Sequence, residues 1–300
     1  MVTACQPVIP VFAPACAPTL GALIRAAQSY LAVTNAAPRL EAEVLMAYVL
    51  ACSRTHLYAH PERKLPPDLR TQFQHLVSRR AVGEPLPYLI GEAQFYGLDL
   101  HVDPRVLIPR PETETLVDLA RIWLTAYKGA PDPPVVVDLG TGSGAMATSL
   151  AFHTSQAKIY AVDISSAALD VARANARRHN VYERITFLLS DLLKALPEPA
   201  HLIVSNPPYI AQEEWATLTA GIREYEPRVA LDGGIDGLQV VQRLLVDAPR
   251  RLRMHGALLI EIGAAQGPAA RKAAQKAFPG AAIKIVRDLA GRDRVLSVQT

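Results

Sequence analysis

The chain has 300 residues, half of them apolar, and a formal net charge of +3. That length exceeds one small domain and can bury a large core divided in two, and the composition argues against a disordered chain. The charges are dispersed with no block of one sign, which argues against a dedicated nucleic-acid tail.

Residues 1–18 are apolar but carry Pro7, Pro10, Pro14 and Pro18 and no basic start, a pattern that fits neither a signal peptide nor a membrane helix. A poorly ordered extension on a cytoplasmic protein is expected there. Cys5, Cys16 and Cys52 lack paired spacing, so a reducing compartment is expected rather than a disulfide framework. No uncharged apolar span long enough to cross a membrane follows, and no internal repeat occurs.

From residue 19 to about residue 90 the pattern is helical. TLGALIRAAQSYL, APRLEAEVLMAYVLA and PPDLRTQFQHLVSRRAVG each place apolar residues at three- and four-residue spacing. Pro38 and Pro66-Pro67 open the later two, and Gly83 closes the last. A small helical domain over 19–90 is predicted. QFYGLDLHVDPRVLIP then alternates and turns like a hairpin, which predicts a β-hairpin linker over 91–110.

Beyond Arg110 short apolar runs alternate with amphipathic stretches. VVVDL, KIYAV, ITFLL, LIVSN, ALLIEIG, AAIKIV and RVLSV read as strands; PETETLVDLARIWL, SAALDVARANARRHN and DGLQVVQRLLVDAPRRL read as helices. The alternation predicts an α/β domain over 111–300, with a largely parallel sheet covered on both faces. In such a sheet ligands bind beyond the carboxyl ends of the strands.

The first of these strands runs into DLGTGSGA, where Gly140, Gly142 and Gly144 allow either close approach to a ligand or simply a tight turn into a helix. No GK[ST] ending follows, so a phosphate loop is not supported. The second strand ends in Asp163, a position for an acceptor of ribose hydroxyls or for a helix cap. The third ends in Ser190-Asp191, a position for an acceptor of an adenine amino group. Together the three strand ends point to a nucleoside pocket. The fourth ends in Asn206-Pro207-Pro208-Tyr209. Asn-Pro-Pro is a good strand terminator, since proline removes a ladder donor and restricts the residue before it. Tyr209, however, is not needed for a turn.

DLGTGSG, Asp163, Asp191 and NPPY in this order resemble the seven-stranded, Rossmann-like class of S-adenosylmethionine-dependent methyltransferases, in the branch that methylates planar amide or amino nitrogens. GEPLPYLIGEAQFYGLDL, VLIPRPETETLVDLA, EYEPRVALDGGIDG and DLAGRDRV are similar to stretches of the bacterial family of peptide chain release factor glutamine methyltransferases. NPPY is shared with adenine-N6 DNA methyltransferases; IPRPETE is more diagnostic. The sequence departs from the family at Leu192, where some relatives carry an aromatic, and at Met254-His255-Gly256, in place of Pro-Gly-Gly.

The resemblance implies S-adenosylmethionine as methyl donor and the glutamine of a release factor Gly-Gly-Gln motif as acceptor, with an effect on translation termination. It implies cofactor contacts at Asp138, Leu139, Gly140, Thr141, Gly142, Asp163, Asp191, Leu192 and Asn206. It implies substrate contacts at Asn206, Pro207, Pro208 and Tyr209, of which Asn206, Pro207 and Tyr209 are catalytic, and a helical domain that binds the protein substrate. Arg110 to Glu114 read either as a border of the acceptor channel or as a helix entry. Methylation of a nucleobase amino group in DNA or RNA is the second enzymatic reading, and a cofactor-binding module without catalysis the third. No separate basic recognition domain is present to favour nucleic acid.

Other signals carry less. His56 and His60 are four apart but lack a third metal ligand nearby, so no metal is expected. The basic clusters at 78–80 and 249–253 have no interleaved aromatics and read as solvated helix faces. Ser143 sits in GTGSG, which is not a GxSxG nucleophile elbow.

Overall fold

A computed structural model describes residues 12–13, 19–127, 132–155 and 157–300. The expected extension over 1–18, with Cys5 and Cys16, lies outside these residues except for Phe12 and Ala13. The chain divides into two compact units: Met1–Gly91 with Ala220–Tyr225, and Glu92–Thr219 with Glu226–Thr300.

The first unit is helical. Helix α1 (Leu20–Leu31) is capped by the Thr19 hydroxyl, which accepts from the Ala22 N–H, and α2 (Pro38–Val49) and α4 (Pro67–Ala81) begin on proline. Between them lies α3 (Arg54–Ala59), and α5 (Leu86–Ile90) follows. The short helix α9 (Ala220–Tyr225) comes from far along the chain; Gly221 lies against the Gly83 carbonyl oxygen, where a Cβ would stand 2.9 Å away. Leu23, Leu31, Leu45, Met46 and Phe73 are buried at the centre. Phe12 joins them, 4% exposed, and its N–H donates to Ser78 Oγ at 2.9 Å. Arg80 grips Glu41 with two hydrogen bonds of 2.9 and 3.0 Å, which fastens α4 to α2. Thus part of the basic cluster at 78–80 is already paired.

In the second unit, β1 (Glu92–Phe95) and β2 (Leu98–His101) form an antiparallel hairpin. It does more than link: Phe95, Leu98 and Leu100 are buried in the core of this unit. Helix α6 (Glu114–Ala126) holds the hairpin tip, since Glu114 Oε1 accepts from the Tyr96 N–H at 2.8 Å and Asp118 from the Tyr96 hydroxyl at 2.6 Å.

The main sheet contains β3 (Val135–Leu139), β4 (Lys158–Asp163), β5 (Ile185–Leu189), β6 (Ala200–Ser205), β7 (Leu252–Glu261), β8 (Ala282–Arg287) and β9 (Asp293–Gln299). Their spatial order is β5-β4-β3-β6-β7-β9-β8; the first five pair in parallel, and β9 runs antiparallel to both of its neighbours, β7 and β8. Helices α7 (Ala145–His153), α8 (Ser166–Arg178), α10 (Gln239–Asp247) and α11 (Gly267–Ala277) complete the unit. Alternate strand residues feed different cores: Val135, Val137 and Leu139 enter one cluster with α10 and α11, and Val136 enters the other with α6 and α7. At the departure Met254-His255-Gly256, His255 adopts φ 62° and the strand continues to Glu261.

From β3 the chain steps outward through β4 to β5, then returns to the other side of β3 as β6. The direction of winding therefore reverses between β3 and β6, which opens a crevice at their carboxyl ends. The loop after β6 is clamped there. Ile210 N–H donates to Leu231 O, Gly233 N–H to Ile210 O, and Gln266 Nε2 to Tyr209 O, each at 2.9 Å. Gly237 lies so close, at φ +71°, that a Cβ would collide with the Tyr209 carbonyl oxygen. Gly237→Ala is therefore expected to cost about 1–3 kcal/mol of stability. A lowered urea midpoint would register this; an unchanged one would show that the loop relaxes freely.

Candidate active site

A cavity of about 590 Å³ occupies the crevice, within the range of small-molecule sites. Leu139, Gly140, Gly142, Asp163, Asp191, Leu192, Asn206, Pro207 and Pro208 line it, which unites most of the site residues expected from sequence. Asp138, Thr141 and Tyr209 stand outside the lining.

Two backbone features set this arrangement. Leu139 pairs with Ser205 across the β3–β6 ladder, and Ser205 Oγ donates to Leu139 O at 2.8 Å, so the glycine loop and Asn206 leave the sheet side by side. Gly140 and Gly142 then turn with φ of +71° and +54°, a conformation that side chains resist. A Cβ at either would find no protein atom nearer than 3.9 Å outside its chain neighbours, so both present bare backbone to the cavity.

Asp138 lies beneath the loop and is completely buried. Its Oδ2 accepts from the Thr141 hydroxyl at 2.7 Å and from the Ala147 N–H at 2.9 Å, while Oδ1 has no partner among the described residues. Burial pushes its carboxyl up to about 7, against the pull of these two hydrogen bonds. Asp138 and Thr141 thus hold the loop from inside. Asp163 faces the cavity, and accepts from Gly142 N–H at 2.8 Å and Ser165 N–H at 2.9 Å. Burial raises its pKa, and the backbone hydrogen bonds oppose the rise. Each of its oxygens keeps a lone pair for a hydroxyl donor.

Asp191 is different in kind. It sits at the rim, paired with Lys194 at 2.6 Å and Arg243 at 2.8 Å, and these partners lower its pKa. Leu192 beside it adopts φ 52°. Ile164 and Val229, 58% and 59% exposed, add apolar surface to the lining, with Val106 and Leu107 from the segment that follows the hairpin. Sequence reading did not assign these four; for three of them the only available signal was membership of the stretches VLIPRPETE and EYEPRVALDGG.

Asn206 carries the most informative contact. Its Nδ2 donates to Thr113 Oγ1 at 3.0 Å, and Oδ1 accepts no hydrogen bond among the described residues. Thr113 in turn donates to Glu261 Oε2 at 2.7 Å. Thr113 lies in the segment 110–114 read from sequence as a channel border or a helix entry, whereas nothing in the sequence singled out Glu261. Arg110 pairs with the buried Glu226, which also accepts from the Ile108 N–H at 3.2 Å. Arg110 to Glu114 do not line the cavity, whereas Pro111–Thr113 form a 3-10 turn into α6. Tyr209 is largely buried, and burial together with Glu261 pushes its phenol up to about 12, so it is a neutral ring at neutral pH. The described residues contain no cluster of three side chains fit to hold a metal ion and no helix long and apolar enough to cross a membrane.

S-adenosylmethionine fits these residues. Bare backbone at Gly140 and Gly142, an acceptor at Asp163 for the ribose diol, and an apolar rim at Ile164 and Leu192 match its three chemical parts.

Residues 22–91 match the description "PrmC N-terminal domain", and residues 121–224 the description "Methyltransferase small domain". Among similar proteins, the release factor glutamine methyltransferase of Rhodopirellula baltica is 40% identical over 265 residues, covering 87% of this chain and 89% of that one. The protein of the same name from Bordetella pertussis is 44% identical over 260 residues, covering 86% and 93%. Of solved structures, the hMettl16 catalytic domain in complex with MAT2A 3'UTR hairpin 6 aligns with a TM-score of 0.53 at 16% identity, covering 75% of this chain and 81% of that one. That last likeness is one of fold. On the strength of the sequence relatives, the chain belongs to the release factor glutamine methyltransferase family.

Proposed function

We infer that the protein methylates the side-chain amide nitrogen of the glutamine in the Gly-Gly-Gln motif of peptide chain release factors and thereby modulates translation termination. The observation that carries this reading is the Asn206 carboxamide: it opens on the same cavity as Gly140, Gly142 and Asp163, with Oδ1 uncommitted. When bound, S-adenosylmethionine supplies a methyl group made electrophilic by its positively charged sulfur.

An amide nitrogen shares its lone pair with its carbonyl and is a poor nucleophile. Asn206 Oδ1 and the Pro207 carbonyl accept its two N–H bonds, orient it, and favour the rehybridisation that frees the pair. The prolines hold both acceptors in place, so little reorganisation accompanies the charge that develops on nitrogen. Tyr209, following Pro208, stands outside the cavity lining, and its neutral ring is assigned a wall of the amide slot on the family resemblance. One N–C bond would form as the methyl–sulfur bond breaks with its electron pair kept by sulfur, and one N–H proton would leave afterwards, so these groups orient the amide and need not deprotonate it. Asp163 holds the ribose, Gly140 and Gly142 the methionine portion, and Asp191 with Leu192 borders the adenine. The helical unit offers the surface for the release factor. No membrane or direct nucleic-acid contact belongs to this reading, and its compartment is the cytoplasm, where termination takes place.

Asn206→Ala is expected to lower turnover about 100-fold or more while leaving cofactor affinity near that of the parent; equal losses of both would make the motif structural. Asp163→Ala should weaken S-adenosylmethionine binding about 10- to 100-fold by calorimetry, and unchanged affinity would remove Asp163 from the site. Incubation with radiolabelled cofactor should label release factor but not its Gln→Ala variant in the Gly-Gly-Gln motif. Label in DNA or RNA alone would replace this reading by nucleobase methylation.

A further inference from the structure

We propose that Glu261 and Thr113 are positioning residues for methyl transfer: acting as a polarity relay, they set which end of the Asn206 carboxamide faces the acceptor. The proposal rests on the function assigned to Asn206 above. It begins from an ambiguity in that side chain. A carboxamide is nearly symmetric in shape, and rotation by half a turn exchanges its oxygen for its NH2. Only one orientation serves an amide substrate, because an N–H of the substrate needs an oxygen opposite it. Presented the other way round, Asn206 would set N–H against N–H.

Thr113 alone cannot decide the orientation. A hydroxyl has one proton to give and lone pairs to receive with, so it can meet either end of Asn206. Glu261 removes the choice. Its carboxylate only accepts, and at 2.7 Å it takes the Thr113 proton. Thr113 Oγ1 then has only lone pairs left, and the neighbour that fits them is the Asn206 NH2, seen at 3.0 Å. Oδ1 is thereby turned away from Thr113 and left for the cavity.

The setting makes the relay effective. Thr113 is 5% exposed and Glu261 1% exposed, so water does not compete for the two hydrogen bonds. Glu261 stands at the end of β7, next to β6 in the sheet, and Thr113 ends the 3-10 turn that leads into α6. Three separate segments therefore converge on one amide. Glu261 Oε1 has no hydrogen-bond partner among the described residues, an expensive condition for a buried carboxylate. Burial pushes this carboxyl up to about 7, opposed by Thr113, Arg294 and Tyr209 and reinforced by Glu112. Of the two oxygens, Oε2 is the one committed as acceptor to Thr113, and Oε1 is the one open to a proton.

Replacement of Glu261 by an apolar side chain frees the Thr113 proton to reach Asn206 Oδ1, which inverts the carboxamide. Glu261→Met and Thr113→Val, assayed with release factor and S-adenosylmethionine, should each lower kcat about 10- to 100-fold, with cofactor affinity by calorimetry and Tm held. Thr113→Ser, which keeps the hydroxyl, should recover most of the loss, whereas Glu261→Gln, whose NH2 can also face Thr113, should recover less of it. The double variant Glu261→Met/Thr113→Val should be no slower than Thr113→Val alone, as expected for links of one chain. Full activity of both single variants, alongside an inactive Asn206→Ala, would overturn the relay and leave the role of Asn206 standing. An active Asn206→Ala would instead overturn the functional reading beneath it. A parallel fall in Tm or in cofactor affinity, without recovery in Thr113→Ser, would make the two residues structural and end the proposal.

Discussion

The parallel pairing of β3 with β6, in the register that sets Leu139 opposite Ser205, is the contact on which the site depends. A slip of one residue would send every side chain of the displaced strand to the opposite face. That is prevented here by two separate cores, since Val135 and Val137 are packed on one side of the sheet and Val136 on the other. Burial of apolar residues on both faces thus determines more than stability. It decides that the glycine loop, 66 residues earlier in sequence than the NPPY turn, emerges beside it, a placement sealed by the Ser205 hydroxyl on Leu139 O.

Around that junction the strand ends carry carboxylates of two kinds. Asp138, Asp163 and Glu261 finish β3, β4 and β7 or lie one residue before the end, all below one-tenth exposure, and in all three burial is the largest influence, raising the pKa. Each is tolerated because it holds a neighbour: the Thr141 hydroxyl, the Gly142 N–H, and the Thr113 hydroxyl. Asp191 ends the row differently, exposed enough to be reached by Lys194 and Arg243, which keep it ionised. Interior acids therefore fix loops, and the rim acid provides a lasting charge, although both types occupy similar places in the sequence pattern.

Much of this was legible from residues alone. Seven apolar runs became the seven strands of one sheet, and DLGTGSG, Asp163, Asp191 and NPPY converged because parallel strands bring their carboxyl ends to one edge. Other features left no local trace. Helices α3 and α5, six and five residues long, are too short to show a helical period. The reversed direction of β9 between β7 and β8 depends on connection geometry rather than on composition. Residues 220–225, read with the second domain, belong to the compact unit of the first helices because α9 packs there. Thr113 and Glu261 are 148 residues apart, and a threonine in PETE and a glutamate in LIEIG each suit a helix entry and a strand end without reference to the other. Side-chain partnerships across such separations are properties of the packed sheet.

The fold does not choose the acceptor, since a chain only 16% identical shares it. Selection of an amide or amino nitrogen needs an arrangement of oxygens, and Asn206 supplies one only if its NH2 is engaged elsewhere. A water or a lone hydroxyl would be a poor partner for that purpose, because each adapts to either end of a carboxamide. Among strong side-chain partners, a carboxyl oxygen that bears no proton, as Glu261 Oε2 does where it faces the Thr113 hydroxyl, accepts and cannot donate. Placed directly against Asn206 it would bring negative charge to the edge of the slot, close to the cofactor's sulfonium; placed behind Thr113 it fixes polarity from within the sheet. On the proposed relay, a buried acid one hydroxyl removed from the reacting groups gives the asparagine a fixed polarity, and the cost of burying Glu261 is understandable on that ground.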